Sequence, residues 1–239
     1  MRSEKSNAII IFLLFLVLSQ LIFNIYFFFI RKGVGPQYYI HRIAYPPEDR
    51  ILEYPIYQDL REEYYHLNQM YKGKFVTVFV GDSITKRFNL NEFNGSDRIL
   101  NRGIFSDTTY GLLERIDKNI NNLKTKNLFL MIGNNDLEYR SNEEIVFNIK
   151  KILNKSRAEN IFIQSILPVC ADNFSYNKRI VEINNTLRKI ADSDNYIYID
   201  VYSQFIDEKG GINQELTRDG THPNYFGYKI WYSVIKKYL

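Results

Sequence analysis

Phe75-Val76-Thr77-Val78-Phe79-Val80, running into Gly81-Asp82-Ser83-Ile84-Thr85, is the stretch whose reading decides the fold. Consecutive apolar or β-branched residues without a charge predict a buried strand, and Gly-Asp-Ser is turn chemistry that opens a helix. At the carboxyl end of a strand in an open parallel sheet, a short polar side chain meets both solvent and the unpaired amides of the next helix. Ser83 occupies that position. Alone, the tripeptide is accounted for by a strand-to-helix turn with Asp82 or Ser83 as N-cap. The case for chemistry rests on three further stretches.

Working outward, strands are expected at Phe75 to Val80, Arg98 to Asn101, Asn127 to Ile132, Asn160 to Ile166 and Tyr196 to Val201. Helices are expected at about Thr108 to Asn122, Ser141 to Ser156, Tyr176 to Asp192 and Tyr225 to Tyr238. Ser141 with Glu144 forms a capping box that fixes one helix start. This alternation predicts a three-layer α/β/α domain on a five-stranded parallel sheet. Polar or glycine clusters end the first three strands, at Ser83, Asn101-Arg102-Gly103 and Gly133-Asn134-Asn135-Asp136, and the loop after the fifth carries Asp219-Gly220-Thr221-His222-Pro223. The fold places function at those ends.

Toward the amino terminus, Ala8 to Ile30 is 23 residues without a charge. As a helix it would span about 34 Å, enough for the hydrocarbon core of a bilayer. It is read as a single-pass membrane anchor, since the apolar region of a cleavable signal is shorter and ends at small residues. Basic residues flank both sides (Arg2 and Lys5; Arg31, Lys32 and Arg42). The expected orientation puts the amino terminus inside and the domain outside the cytoplasm. Residues 33–73 carry Gly33, Gly35, Pro36, Pro46, Pro47 and Pro55, then apolar residues at helical spacing from Tyr57 to Tyr71. The expected organisation is 1–32 anchor, 33–73 stalk and leading helix, and 74–239 the α/β domain.

The formal charge of +4 is concentrated at the start. Residues 1–32 hold four of the 31 Lys and Arg and one of the 27 acids, leaving 27 against 26 beyond. A nearly neutral domain argues against a nucleic-acid partner. One cysteine, Cys170, excludes an internal disulfide, and His41, His66 and His222 are too scattered for a zinc site. His66 on the leading helix is expected to be a surface or packing residue.

A serine hydroxyl needs a base, and the base needs a group that holds its tautomer. His222 can serve Ser83, and Asp219 three residues earlier can fold back onto Nδ1; Asp219 and His222 could equally cap the helix that follows. Donors for a developing oxyanion are available in the amides of Ser83 and Gly103 and the side chain of Asn135. Gly103 and Asn135 also have plain readings as turn residues.

Gly81-Asp82-Ser83-Ile84, Gly103, Gly133-x-Asn135-Asp136 and Asp219-x-x-His222 together resemble the four ordered blocks of the SGNH (GDSL-type) hydrolase family, over about Lys74 to Leu239. The resemblance implies a flavodoxin-like sheet with Ser83 as nucleophile, His222 as base and Asp219 as orienting acid. Ser83, Gly103 and Asn135 would be the oxyanion donors, with no metal or organic cofactor. The stretch Asn101 to Thr109 looks most like members acting on acetylated sugars or platelet-activating-factor-like lipids, although Ser106 stands where those often have glycine. The expected function is a membrane-anchored serine esterase acting on O-acetyl groups of a carbohydrate or surface glycan. A lysophospholipase or thioesterase, an acyltransferase, and a silent glycan-binding scaffold stay open as alternatives. The segments around Phe105, Glu138 to Arg140, Pro168 to Tyr176 and Gly210 to Arg218 are expected to line the pocket.

Overall fold

In the computed structural model the described residues are 17–20, 23, 52–170 and 172–239. The chain divides into Met1–Pro47 and Glu48–Leu239. In the first unit residues 17–20 and 23 are helical and exposed. The expected anchor otherwise lies outside the described residues, among which no helix is long and apolar enough to cross a membrane.

In the second unit, β1 (Phe75–Gly81), β2 (Ile99–Asn101), β3 (Lys124–Met131), β4 (Asn160–Gln164) and β5 (Ile197–Ile199) form one sheet in the order β2-β1-β3-β4-β5. Every neighbouring pair is parallel. Around the strands run α1 (Pro55–Asn68), α2 (Ser83–Lys86), α3 (Leu90–Asn94), α4 (Thr109–Asn119), α5 (Asn142–Lys155), α6 (Phe174–Asp194) and α7 (Tyr225–Ile235). The chain steps from β1 outward to β2, then crosses back over β1 to β3. Connections therefore leave β1 and β3 in opposite directions and open a crevice at their carboxyl ends.

Alternation along the strands sorts side chains to two covered faces. Val76, Val78, Val80, Leu128, Leu130 and Ile163 pack against Leu112 and Ile116 of α4, Ile145 and Ile149 of α5, and Ile180 and Ile183 of α6. On the other face Phe79, Phe129 and Phe162 stand in register on three neighbouring strands. Their rings stack, with centroids 4.4 Å apart in each pair. Phe88, Trp231 and Ile235 belong to the same buried cluster. Trp231 meets its polar requirement by donating from Nε1 to Gln164 Oε1 at 2.7 Å.

The capping box forms as expected, with the Ser141 amide donating to Glu144 Oε2 at 2.8 Å and the Glu144 amide to Ser141 Oγ at 3.2 Å. Two strands end earlier than their apolar runs. β4 stops at Gln164 because Asn184 of α6 takes over the next peptide, accepting from the Ile166 amide at 2.8 Å and donating to its carbonyl at 2.9 Å. β5 stops at Ile199 because Ser165 Oγ accepts from the amides of Val201 and Tyr202 at 2.8 and 2.7 Å.

The boundary expected at residue 74 is not where the domain begins. α1 buries Tyr57 and Tyr64 to 1% and 3% exposure against Ile104, so the leading helix is part of the unit starting at Glu48. His66 on that helix is exposed.

The middle ring of the aromatic stack carries a direct expectation. Phe129→Ala removes a fully buried ring held between two others and should cost about 3–5 kcal/mol in urea unfolding. A loss below about 1 kcal/mol would show that the stack does not anchor this face.

Candidate active site

β1 ends at Gly81, where a Cβ would collide with the Met131 carbonyl of β3. Asp82 is the N-cap of α2 and accepts from the Ile84 amide at 2.9 Å. Ser83 is therefore the first residue of a helix that starts directly above the crevice, with its own amide left without an acceptor among the described residues.

The other partners arrive on the loop before α7. Thr217 Oγ1 donates to the His222 carbonyl at 2.9 Å and accepts from the Gly220 amide at 3.0 Å, while the Arg218 amide donates to the His222 carbonyl at 3.0 Å. This closes residues 217–223 into a tight turn. His222 Nε2 lies 2.9 Å from Ser83 Oγ, and His222 Nδ1 lies 2.8 Å from Asp219 Oδ2. Asp219 Oδ1 also accepts from the amides of His222 at 2.8 Å and Thr221 at 3.1 Å. Burial raises the Asp219 pKa, but these hydrogen bonds outweigh it and hold the carboxyl below its ordinary value, so it is ionised at neutral pH. With Nδ1 donating to that carboxylate, Nε2 is left to accept from the serine hydroxyl.

Of the three expected oxyanion donors, two have amide hydrogens left for a ligand. The Ser83 amide is free, and Asn135, in a 3₁₀ turn after β3, uses one side-chain N–H to donate to the Asp107 carbonyl at 2.9 Å, which leaves the other. Gly103 differs from expectation. Its amide already donates to Asn101 Oδ1 at 2.9 Å. Glycine is required there by packing, because a Cβ would collide with the Lys86 amide and lie 2.9 Å from the Asp82 carbonyl. Three residues on, Ser106 adopts φ of 58°, a left-handed conformation that costs a non-glycine residue about 1–2 kcal/mol. It occupies the third position of a turn closed by Asp107 N–H to Ile104 O at 3.3 Å, and its amide has no acceptor among the described residues. Strain of this kind concentrates at functional sites.

Supporting groups behind the loops were not legible as site residues in the sequence. Asp107 is fully buried; its carboxylate accepts from Tyr57 Oη at 2.9 Å and from Arg115 Nε at 2.8 Å, and Arg115 Nη2 also reaches the Gly81 carbonyl at 3.3 Å. Asp136 accepts from the Thr109 amide at 2.9 Å, Thr109 Oγ1 at 2.6 Å and Arg140 Nη1 at 3.0 Å, which fixes the turn that carries Asn135. α1 holds the loop after β2 at two more points. Tyr64 Oη donates to the Gly103 carbonyl at 2.7 Å, and Asn68 Oδ1 accepts from Arg102 Nη2 at 2.7 Å.

Three buried carboxyls thus lie behind Ser83. Burial pushes the Asp82 carboxyl up to about 7; the Ile84 amide works against this, and the Asp107 and Asp136 carboxylates add to it. A carboxyl whose folded pKa exceeds its unfolded value binds its proton more tightly in the native state. Its contribution to stability is full below the ordinary value of 3.8 and is lost as pH rises through about 7. Asp82→Asn keeps the acceptor for Ile84 and cannot ionise. Its urea midpoint should therefore gain on the wild type as pH rises from about 4 to about 8; a difference that stays constant over that range would contradict the raised pKa.

Residues 79–230 match the profile of the GDSL-like Lipase/Acylhydrolase family. No curated protein sequence matches the chain. Among solved structures, a protein from Streptococcus pneumonia described as a platelet activating factor is 27% identical, with TM-score 0.68, covering 76% of this chain and 91% of its own. One from Bacteroides fragilis, described as an acylhydrolase, is 23% identical with TM-score 0.66, covering 74% and 94%. An acetylxylan esterase from Geobacillus stearothermophilus is 16% identical with TM-score 0.59, covering 70% and 94%. The last two are similar in fold. With the family profile covering more than half of its length, the chain belongs to the GDSL-like lipase/acylhydrolase family and is a hydrolase of ester bonds.

Proposed function

We propose that this protein is a serine esterase that removes O-acetyl groups from a carbohydrate, tethered to a membrane by residues 8–30 with its catalytic domain outside the cytoplasm. The observation that carries the catalytic part is the relay itself, with Ser83 Oγ 2.9 Å from His222 Nε2 and Asp219 Oδ2 2.8 Å from Nδ1. The uncharged 23-residue run Ala8 to Ile30 supports the tether. Likeness in fold to an acetylxylan esterase supports an acetylated sugar as substrate.

In this reading Ser83 Oγ attacks the ester carbonyl carbon while His222 Nε2 takes the hydroxyl proton. Asp219 holds the ring in place and stabilises its positive form. The tetrahedral oxyanion receives the Ser83 amide, the free N–H of Asn135 and the Ser106 amide. Ser106 is preferred to Gly103 because the Gly103 amide is already bonded to Asn101 and the Ser106 amide is not. Collapse breaks the bond to the sugar oxygen, which takes the proton from His222. Water, deprotonated by the same imidazole, then attacks the acetyl-serine, releases acetate and restores the hydroxyl.

Ser83→Ala should lower turnover of p-nitrophenyl acetate by about 10⁴-fold or more, and Asn135→Ala should lower kcat by about 10²–10³-fold. Undiminished turnover in Ser83→Ala would remove Ser83 from its role. Release of acetate from acetylated oligosaccharides, and none from lysophospholipid or acyl thioester, is expected; the reverse preference would assign the same site to lipid or thioester cleavage.

A further inference from the structure

A cavity of about 360 Å³ lies between the two segments that carry the nucleophile and the base. From the Ser83 side its wall includes Arg87, whose amide donates to the Ser83 carbonyl at 3.1 Å at the end of the same helical turn. From the His222 side it includes Arg218, the residue before Asp219, whose amide donates to the His222 carbonyl. Tyr228 closes the floor; it is 5% exposed and donates from its hydroxyl to the Ile84 carbonyl at 2.8 Å. Ser83 and His222 do not line this cavity themselves; the segments that carry them supply two of its walls.

The chemistry of the wall is specific. Both arginines are exposed, and among the described residues neither guanidinium is in an ion pair. Arg87 rests over the ring of Phe105 with its guanidinium carbon 5.8 Å from the centroid, which leaves its N–H groups to a ligand. The one acid in the wall, Glu92, accepts from Asn89 Nδ2 at 2.5 Å. Nearby Asp219 is engaged by His222. The wall thus carries two arginines against one carboxylate, an excess of positive charge suited to an anion. The remaining lining is aromatic. Phe93 and Tyr225 lie 6.3 Å apart at 23°, with Tyr225 63% exposed, so its ring offers an apolar face beside the two cations.

We infer that this cavity is the subsite for an anionic sugar, a ring bearing a carboxylate or phosphate next to the acetylated unit, gripped by Arg87 and Arg218 and stacked on Tyr225. The inference rests on the reading of Ser83 as the nucleophile of a carbohydrate O-acetyl esterase, and it narrows that substrate to acidic glycans. A neutral sugar could stack on Tyr225 but would leave both guanidiniums to water.

The test uses the full chain in detergent and the release of acetate at low ionic strength. Acetylated oligogalacturonides are compared with acetylated xylo-oligosaccharides, and acetylated glucose 6-phosphate with acetylated glucose. The wild type should prefer one acidic member by about tenfold or more in kcat/KM, through KM. In R87Q/R218Q that preference should fall to near one, with the thermal midpoint kept. K150Q/K151Q, which removes the same charge from α5, should keep the preference. Whichever acidic arm loses its advantage in R87Q/R218Q identifies the anion. A wild-type ratio near one in both arms, a preference that survives R87Q/R218Q, or one lost equally in K150Q/K151Q would overturn the inference while leaving the esterase intact. Absence of any turnover that depends on Ser83, p-nitrophenyl acetate included, would instead overturn the esterase reading beneath it.

Discussion

The buried pair of Asp107 and Arg115 is the constraint on which the site depends. Both side chains are at 0% exposure, with Arg115 Nη2 2.7 Å from Asp107 Oδ2. Two charges taken out of water are tolerated only when their hydrogen-bonding capacity is largely used. Here Tyr57 Oη and the Thr108 amide serve one carboxylate oxygen and Arg115 the other. The pair then reaches outward in three directions. Arg115 touches the Gly81 carbonyl at the end of β1, Asp107 itself belongs to the loop after β2, and its main-chain carbonyl holds Asn135 after β3. Removing one partner of such a pair leaves an uncompensated charge and costs about 3–5 kcal/mol. The ends of three strands are thus fixed relative to one another by a single pair.

Strand order explains why those ends matter. With β1 between β2 and β3, the loops after all three open on the same side of the sheet, and the turn at 217–223 closes against them. The scaffold beneath is stiff, with three phenylalanines stacked across β1, β3 and β4 on one face and branched aliphatics on the other. Such packing holds Ser83 and His222 in hydrogen-bonding geometry without a ligand present. α1 adds a feature outside the span matched by the family profile. Through Tyr57, Tyr64 and Asn68 it clasps the loop from Arg102 to Asp107, so the segment leading in from residue 52 bears directly on the candidate site.

The sequence was most informative where chemistry is local. Ser83 and Asn135 stand out because each sits in a short motif at a predicted strand end, and Asp219 with His222 because of their spacing in the loop after the fifth strand; the structure joins Ser83, His222 and Asp219 by hydrogen bonds, with Asn135 held by the loop after β2. What failed to show was governed by distant partners. The amide of Gly103 is claimed by an asparagine side chain two residues away, a bond that no spacing rule announces. Tyr57 and Asp107 are 50 residues apart, and a tyrosine on an amphipathic helix reads as packing until its hydroxyl is seen on a buried carboxylate. Ser106 stands where related sequences often have glycine, but only its φ of 58° shows that it keeps the glycine conformation. The strand ends of β4 and β5 were overrun for the same kind of reason, since Asn184 and Ser165 divert amides that apolar runs alone would leave in the ladder.

The central claim is that the imidazole of His222 makes one hydroxyl in this chain far more nucleophilic than any other. Reaction of the folded protein with a fluorophosphonate, followed by peptide mapping, addresses it directly. A single adduct on the peptide containing Ser83, abolished when the protein is unfolded beforehand, is the expected result. Adducts spread over other serines, or none on Ser83 while the fold persists, would contradict it.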